Sequence, residues 1–310
     1  MKPHKIPKIL VFSSADSERN KQINDNFIGT VNAKSDGDFV AEWHNYDDVL
    51  LKIETNSITP LLLPDTTPIT SFDFVFFKSF ARRNEVASTI AMALDAANVP
   101  FVCSEVRDAL AITKLLQFAK LAQAGIPIVP TLFASTSRFA GLFEVIQADF
   151  GLPFIFKATG GKGGDDNFLI TDQEKFNAVL ASHGTLDFVA QPFVKNDSDL
   201  RVLIVDGRIQ LVIKRSRGQS GNTHLNNTSQ GAQADLLPLS ELNPEHQALA
   251  LRAAQVLHRE FAGVDVMYET NTNRPYILEV NASPQVASGA FEMEKVAIFT
   301  EYFKKITSKY

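Results

Sequence analysis

The sequence is poor in cysteine, in tryptophan and in long apolar runs. Its single cysteine, Cys103, excludes an intrachain disulfide and any zinc site built from several thiolates, as expected for a reducing, cytoplasmic setting. Set in Pro100-Phe101-Val102-Cys103, it reads as a small buried hydrophobe and not as a nucleophile. No stretch approaches the ~20 apolar residues of a membrane span. The run Ile9–Phe12 follows Lys2, Lys5 and Lys8 but is too short for a signal-peptide core. A basic excess is also missing. Thirty Lys and Arg stand against 35 Asp and Glu, a formal charge of −5, so no global attraction to nucleic acid or anionic membrane is expected. Neither Gly-x-Ser-x-Gly nor His-Glu-x-x-His occurs, which leaves serine-hydrolase and zinc-protease chemistry without support. Phenylalanine is abundant, 24 against one Trp, a bias with no functional reading at this level.

At roughly 100–200 residues per domain, 310 residues suggest two or three folding units. In the first hundred, Ile9–Phe12, Phe72–Phe77 and Pro100–Cys103 are short apolar runs, and a helical pattern over Asn84–Asn98 separates the last two. Strands alternating with helices predict a parallel α/β sheet. Ligands sit beyond the carboxyl ends of such strands, which makes Ser13, Ser14, Phe80, Arg82 and Arg83 candidates for a substrate-facing rim. From Val106, apolar residues recur at helical spacing until Gly125. A second helix is predicted over Phe139–Phe150, then a hairpin of Phe154–Lys157 and Phe168–Ile170 around a glycine-rich loop. The last third predicts strands at Phe188–Gln191, Leu200–Val205, Ile209–Lys214, Val264–Glu269 and Tyr276–Val280, with a helix over Pro244–Phe261. Asp206-Gly207 marks a tight turn. Residues 216–238 are polar and lack periodicity, the profile of a functional or mobile loop.

Three constellations can carry chemistry. If Asn271-Thr272-Asn273 turns the chain, Asp265 falls opposite Glu279, and Asn281 shares a strand face with Glu279. Facing carboxylates repel unless a cation lies between them, and Asp, Glu and an amide carbonyl are hard oxygen donors suited to Mg²⁺. An exposed polar hairpin face is the competing reading. Lys157, followed by Thr159-Gly160-Gly161-Lys162-Gly163-Gly164, pairs a point charge with backbone N–H groups open to phosphate. It is neither a Walker loop nor a dinucleotide fingerprint. Lys214-Arg215-Ser216-Arg217 supplies guanidinium forks for an anion, against a reading as solvated surface charge. The histidines lack metal-ligand spacing, although His224 in the polar loop is placed to touch a ligand.

Taken in order, these elements resemble the ATP-grasp superfamily, and within it the RimK-like ligases that add glutamate or other amino acids to a peptide carboxylate. The similarity is most specific in Ala262-Gly263-Val264-Asp265 and in Ile277-Leu278-Glu279-Val280-Asn281-Ala282-Ser283-Pro284. It implies an α/β fold with an N-terminal parallel pre-ATP-grasp domain over 1–107, a central subdomain over 108–187 and a C-terminal subdomain over 188–310. It further implies Mg²⁺ (or Mn²⁺) on Asp265, Glu279 and Asn281, and ATP phosphates on Lys114, Lys157 and the loop of Gly161 and Gly163. The adenine hinge would be Gln191, Pro192, Phe193 and Val194. Asp199, Arg201, His224, Leu225 and Asn226 would complete the nucleotide contacts, with Arg215 and Arg217 beside the transferred phosphoryl group. The sequence departs from the pattern at His224, Gln230 and Gln285, in loops on the acceptor side.

The expected activity is ATP-dependent, ADP-forming carboxylate–amine ligation through an acylphosphate, with amino-acid and peptide or protein carboxylate substrates. A glutathione-synthetase-like or macrocyclising ligase and a non-catalytic ATP-binding regulator are the alternatives. No nucleic-acid or membrane partner is expected, and homo-oligomerisation is left open.

Overall fold

Runs of β-branched and aromatic residues closed by polar residues build the N-terminal sheet. The computed structural model describes residues 5–80, 83–108, 113–160, 166–216, 233–282 and 284–309. β1 (Lys8–Phe12) leads into α1 (Glu18–Lys34), capped by the Ser17 side chain, and then β2 (Val40–His44). An antiparallel excursion, β3 (Val49–Glu54), β4 (Ser57–Leu62) and β5 (Thr67–Pro68), precedes β6 (Phe74–Phe77), α2 (Asn84–Ala96) and β7 (Phe101–Val102). The parallel order is β2-β1-β6-β7. β1, β6, β7 and α2 coincide with predicted elements. α1 and β2 do not announce themselves in sequence, because α1 buries only Asn24, Phe27, Ile28 and Val31 and β2 buries only Ala41.

The helix predicted from Val106 is shorter than its periodicity. Ser104–Arg107 form a 3₁₀ turn, and α3 (Lys114–Gln123) begins after Thr113, whose hydroxyl accepts the Leu116 N–H. After β8 (Leu132–Ala134), the helix predicted over 139–150 is two helices, α4 (Thr136–Phe139) and α5 (Phe143–Phe150), interrupted at Gly141-Leu142. Gly151 closes α5 at φ +75°. β9 (Phe154–Ala158) and β10 (Asn167–Ile170) form the predicted hairpin, followed by α6 (Gln173–Ser182) and β11 (Phe188–Pro192). The sheet order is β10-β9-β11-β8, entirely antiparallel. Since β11 lies between β9 and β8, this sheet extends past the expected boundary at 187 to Pro192.

β12 (Ser198–Val205) and β13 (Arg208–Ser216) are joined through Asp206 and Gly207, both with positive φ (+54° and +67°), as the tight turn requires. β14 (Gln233–Leu236), α7 (Pro244–Val256), β15 (Phe261–Tyr268), β16 (Pro275–Asn281) and α8 (Glu292–Thr307) complete the chain. The helix predicted to reach Phe261 stops at Val256. His258, at φ +55°, turns the backbone and Phe261 opens β15 instead. The five-stranded order is β14-β13-β12-β15-β16.

One face of this sheet buries Leu200, Val202, Ile204, Val264, Val266 and Val280 against α7 and α3. The opposite face is split. Leu203, Val205 and Phe261 join the N-terminal core, where Phe76 packs on Phe261 (5.0 Å between ring centroids), Phe299 (5.6 Å) and Phe303 (6.1 Å). The C-terminal α8 thus packs with the N-terminal unit, from the far end of the chain. The phenylalanine bias is accounted for here and in the central core of Phe139, Phe143, Phe154, Phe156, Phe176 and Phe188. Among the described residues no helix is long and apolar enough to cross a membrane.

Truncating a residue in the core that the N-terminal unit shares with the C-terminal sheet leaves a cavity the surroundings fill only partly. Phe76→Ala is therefore expected to lower stability by about 3–5 kcal/mol, measured by urea unfolding. A loss under about 1 kcal/mol would contradict a shared core.

Candidate active site

The β15–β16 hairpin does not keep one register. Next to the turn, the pairs Tyr268↔Pro275, Met267↔Tyr276 and Val266↔Ile277 set a register that would put Asp265 opposite Leu278. A β-bulge at Leu278 adds one residue to β16, so Asp265 faces Glu279, Val264 faces Val280 and Gly263 faces Asn281. Glu279 and Asn281 thereby share the face of Asp265. Without the bulge they would point into the α7 core.

The same face carries Asp199 and Arg201 on β12 and Arg215 on β13. Arg215 lies directly across from Asp199, and Arg201 directly across from Asp265. Arg215 Nε donates to Asp199 Oδ1 (2.6 Å) and its Nη2 reaches Asp265 Oδ2 (3.2 Å). Arg201 grips Asp265 with two donors, Nε to Oδ1 and Nη2 to Oδ2 (2.9 Å). The side chains of Asp199, Arg215 and Asp265 are 8%, 10% and 9% exposed and that of Arg201 21%. Burial would raise Asp265, but Arg201 and Arg215 outweigh it and hold the carboxyl below the ordinary range. Burial wins at Asp199, which is raised despite Arg215, with the charge of Asp265 adding to the push. Gly263 makes the grip of Arg201 sterically feasible. A Cβ there would stand 3.1 Å from Arg201 Cδ and 3.3 Å from Pro284 Cβ.

Lys157 comes from the other sheet. Phe154, Phe156 and Ala158 alternate into the central core, so Ile155 and Lys157 take the opposite face. The Lys157 ammonium lies 5.0 Å from the Phe118 ring centroid on α3. Burial, reinforced by the charge of Lys114, brings its pKa down to about 8, while Glu279 pulls it upward. Lys157 is thus within electrostatic reach of both Lys114 and Glu279. Lys114 is the first residue of α3. Gln191 is buried and donates to Thr131 Oγ1 (2.8 Å). Val194 and Leu278 pack on Val129, Met267 and Tyr276, an apolar patch where β11 leads into the C-terminal sheet. Pro192 ends β11, and Phe193 is half-buried beyond it.

Several expectations change. The Lys214-to-Arg217 cluster is not one anion site: Lys214 is exposed on the opposite face and Arg215 is bound to two carboxylates. Arg217, Gly161, Gly163, His224, Leu225 and Asn226 lie outside the described residues, as do Arg82, Gln230 and Ser283. The rim is more closed than expected. Ser13 accepts from Lys78 Nζ (3.0 Å), Ser14 donates to the Ser79 carbonyl (2.8 Å), Phe80 is buried and Arg83 pairs with Asp47 (2.8 Å).

Among the described residues no group of three His, Cys, Asp or Glu side chains forms a metal cage. Two carboxylates and an amide carbonyl on adjacent strands nevertheless have the hard-oxygen chemistry Mg²⁺ takes, with room for phosphate oxygens. Glu279 and Asn281 are only half-buried. Asp265 accepts three hydrogen bonds from arginines, and a carboxylate has about four lone-pair sites, so it fits as a shared, partial ligand.

The model of the RimK-like ATP-grasp domain matches residues 111–301, and the chain belongs to that family of ATP-grasp ligases. It is similar to the probable alpha-L-glutamate ligase of Syntrophotalea carbinolica, 25% identical over 269 residues that cover 84% of this chain and 86% of the relative. Other relatives of that name align over shorter stretches, that of Desulfotalea psychrophila over 36% of its own length. Among solved structures, the ATP-grasp ligase PsnB complexed with a phosphomimetic variant of its minimal precursor, Mg and ADP aligns with a TM-score of 0.70 at 16% identity. That alignment covers 96% of this chain and 98% of PsnB. D-alanyl-alanine synthetase A from Vibrio cholerae O1 gives 0.70 at 16% identity over 98% of both chains. At this identity the two structures speak for the fold.

Removing Arg215 would leave Asp199 buried without its partner. Arg215→Met is expected to destabilise by about 3–5 kcal/mol in urea unfolding, and adding Asp199→Asn should restore part of the loss. Additive losses in the double variant would argue against the coupling.

Proposed function

We propose that the protein is an ATP-dependent carboxylate–amine ligase that adds an amino acid to a peptide or protein carboxylate through an acylphosphate. The observation that carries this reading is that Lys157 feels the charges of both Lys114 and Glu279, and that Glu279 shares its strand face with Asp265 and Asn281. Lysines from one sheet and one helix meet oxygen ligands from another sheet, the charge pattern an ATP–metal complex needs on its two sides.

Lys114 and Lys157 would orient the nucleotide phosphates. The apolar patch of Val194, Met267 and Leu278, next to the backbone of Gln191 to Val194, suits an adenine ring. Asp265, Glu279 and Asn281 would hold Mg²⁺, which when bound neutralises charge on the phosphates. Arg215 and Arg201 keep Asp265 ionised and fixed, and Arg215 would face the group being transferred. The acceptor carboxylate attacks the γ-phosphorus, ADP leaves, and the incoming amine displaces phosphate to form the amide. No side chain serves as a covalent nucleophile, and buried Cys103, with its thiol pKa raised by burial, agrees with this.

ADP release measured with pooled amino acids and peptides, followed by product mass, tests the reading. Gain of an amino-acid residue is expected. A peptide that loses water instead would indicate macrocyclisation, and no acceptor-dependent ADP release would overturn ligation.

A second test uses the lowered Lys157. At about pH 8.5, above its free pKa, this amine is mostly uncharged, and neighbouring phosphate oxygens raise the pKa. Nucleotide binding should therefore take up a proton, seen calorimetrically as a dependence on buffer ionisation enthalpy. The uptake should vanish in Lys157→Met; an identical uptake in that variant would remove Lys157 from the phosphate site.

A further inference from the structure

β16 is an edge strand, and among the described residues no strand pairs with the outward N–H and C=O groups on its far side. The Ile277 N–H is donated to the Pro127 carbonyl (2.9 Å). The bulge at Leu278 then makes Val280 the next outward-facing unit, and Val280 sits between Glu279 and Asn281. Its two peptide groups are met by side chains. The Val280 N–H is donated to Gln117 Oε1 (3.2 Å), and the Val280 carbonyl accepts from Arg259 Nη1. Gln117 and Arg259 are both buried.

Each prop is itself anchored. Gln117 lies one turn along α3 from Lys114 and next to Phe118, which underlies Lys157. Arg259 Nε donates to Glu105 Oε2 (2.7 Å) in the turn after β7, and the Ser104 N–H in that turn is donated to Glu260 Oε2 (2.9 Å). These reciprocal bonds tie the N-terminal unit to the start of β15. Among the described residues the second Glu105 oxygen is buried without a hydrogen-bond partner. Among the described residues the hydrogen bond of the Glu105 carboxylate is the one to Arg259.

We propose that Gln117 and Arg259 are positioning residues that fix Glu279 and Asn281 as one ligand pair, with Glu105 extending that control to the docked N-terminal unit. The proposal rests on the reading of Glu279 and Asn281 as cation ligands. Edge strands twist and fray where their outward groups are unpaired, and a rotation of the Val280 peptide would turn both ligands together.

The test uses the full chain with Mn²⁺ as the probe, in the presence of ADP, read by electron paramagnetic resonance. Gln117→Met keeps length and removes the acceptor, and Arg259→Lys keeps the charge opposite Glu105 but replaces the fork with a point donor. Each should weaken Mn²⁺ about tenfold, the size of one unpaired buried polar group, and raise the KM for Mg²⁺ more than it lowers kcat. Amide exchange at Val280 should accelerate in Gln117→Met without metal. Phe39→Leu, a packing variant against Phe303 away from Arg259 and β16, should lose melting temperature yet retain Mn²⁺ affinity, which separates positioning from general destabilisation. Mn²⁺ affinity within about twofold of the parent in both prop variants, with Glu279→Ala abolishing it, would overturn the positioning role and leave the metal reading standing. Unchanged affinity in Glu279→Ala would overturn the metal reading itself.

Discussion

The buried alternation of Arg215, Asp199, Arg201 and Asp265 across three strands is the constraint on which the rest of the site depends. Two acids and two arginines sum to zero charge, so the group can be buried without a net ion in low dielectric. The arrangement holds only in the observed registers of β13, β12 and β15. A slip of one residue in any of them would separate a partner and bury a lone charge. Sheet register and site electrostatics are therefore one decision. The half of the same face that lacks these charges, at Leu203, Val205 and Phe261, is free to pack against the N-terminal core.

Two weaker devices complete the arrangement. The bulge at Leu278 turns Glu279 and Asn281 to the charged face while Val280 stays in the core. Gly263 leaves the space that the Arg201 stem occupies, and Pro284 closes over the same spot. The lysines approach from the opposite side. Burial keeps Lys157 low enough in pKa that an anionic ligand has more to offer it than water does. The lysines are thus carried by the central sheet and α3 and the oxygen donors by the C-terminal sheet, and a ligand bearing both phosphates and a cation would satisfy both at once.

The N-terminal unit is joined to this centre by two kinds of contact. Phenylalanines on β6, β15 and α8 make a broad apolar seam, and the Ser104, Glu105, Arg259 and Glu260 bonds add a narrow polar one. The first supplies most of the burial. The second supplies direction, because hydrogen bonds between charged groups fix orientation as packing alone does not. The strand ends that the α/β layout assigns to a substrate rim are partly folded inward, with the Lys78 ammonium held by Ser13 and Asn24.

The pairing of Asp265 with Glu279 is an expectation of the sequence that the folded hairpin delivers only through the bulge at Leu278. Sequence by itself determined the fold class, the α/β to antiparallel progression and the Asp206-Gly207 turn. Each follows from short-range rules of alternation, turn chemistry and i, i+2 facing. Local patterns also overran. Helical spacing continues through Val106 and up to Phe261, but Thr113 caps one helix and the backbone at His258 ends another. Only the tertiary structure decided that β11 belongs with the central sheet, that α8 packs on the first unit, and that Arg215 spends its charge on Asp199 and Asp265. The same holds for Gln117 and Arg259, whose role depends on an edge strand 163 residues from Gln117 in the chain. Such pairings are set by which buried charges and unpaired peptide groups the packed sheets bring together, and that is information no local window of sequence contains.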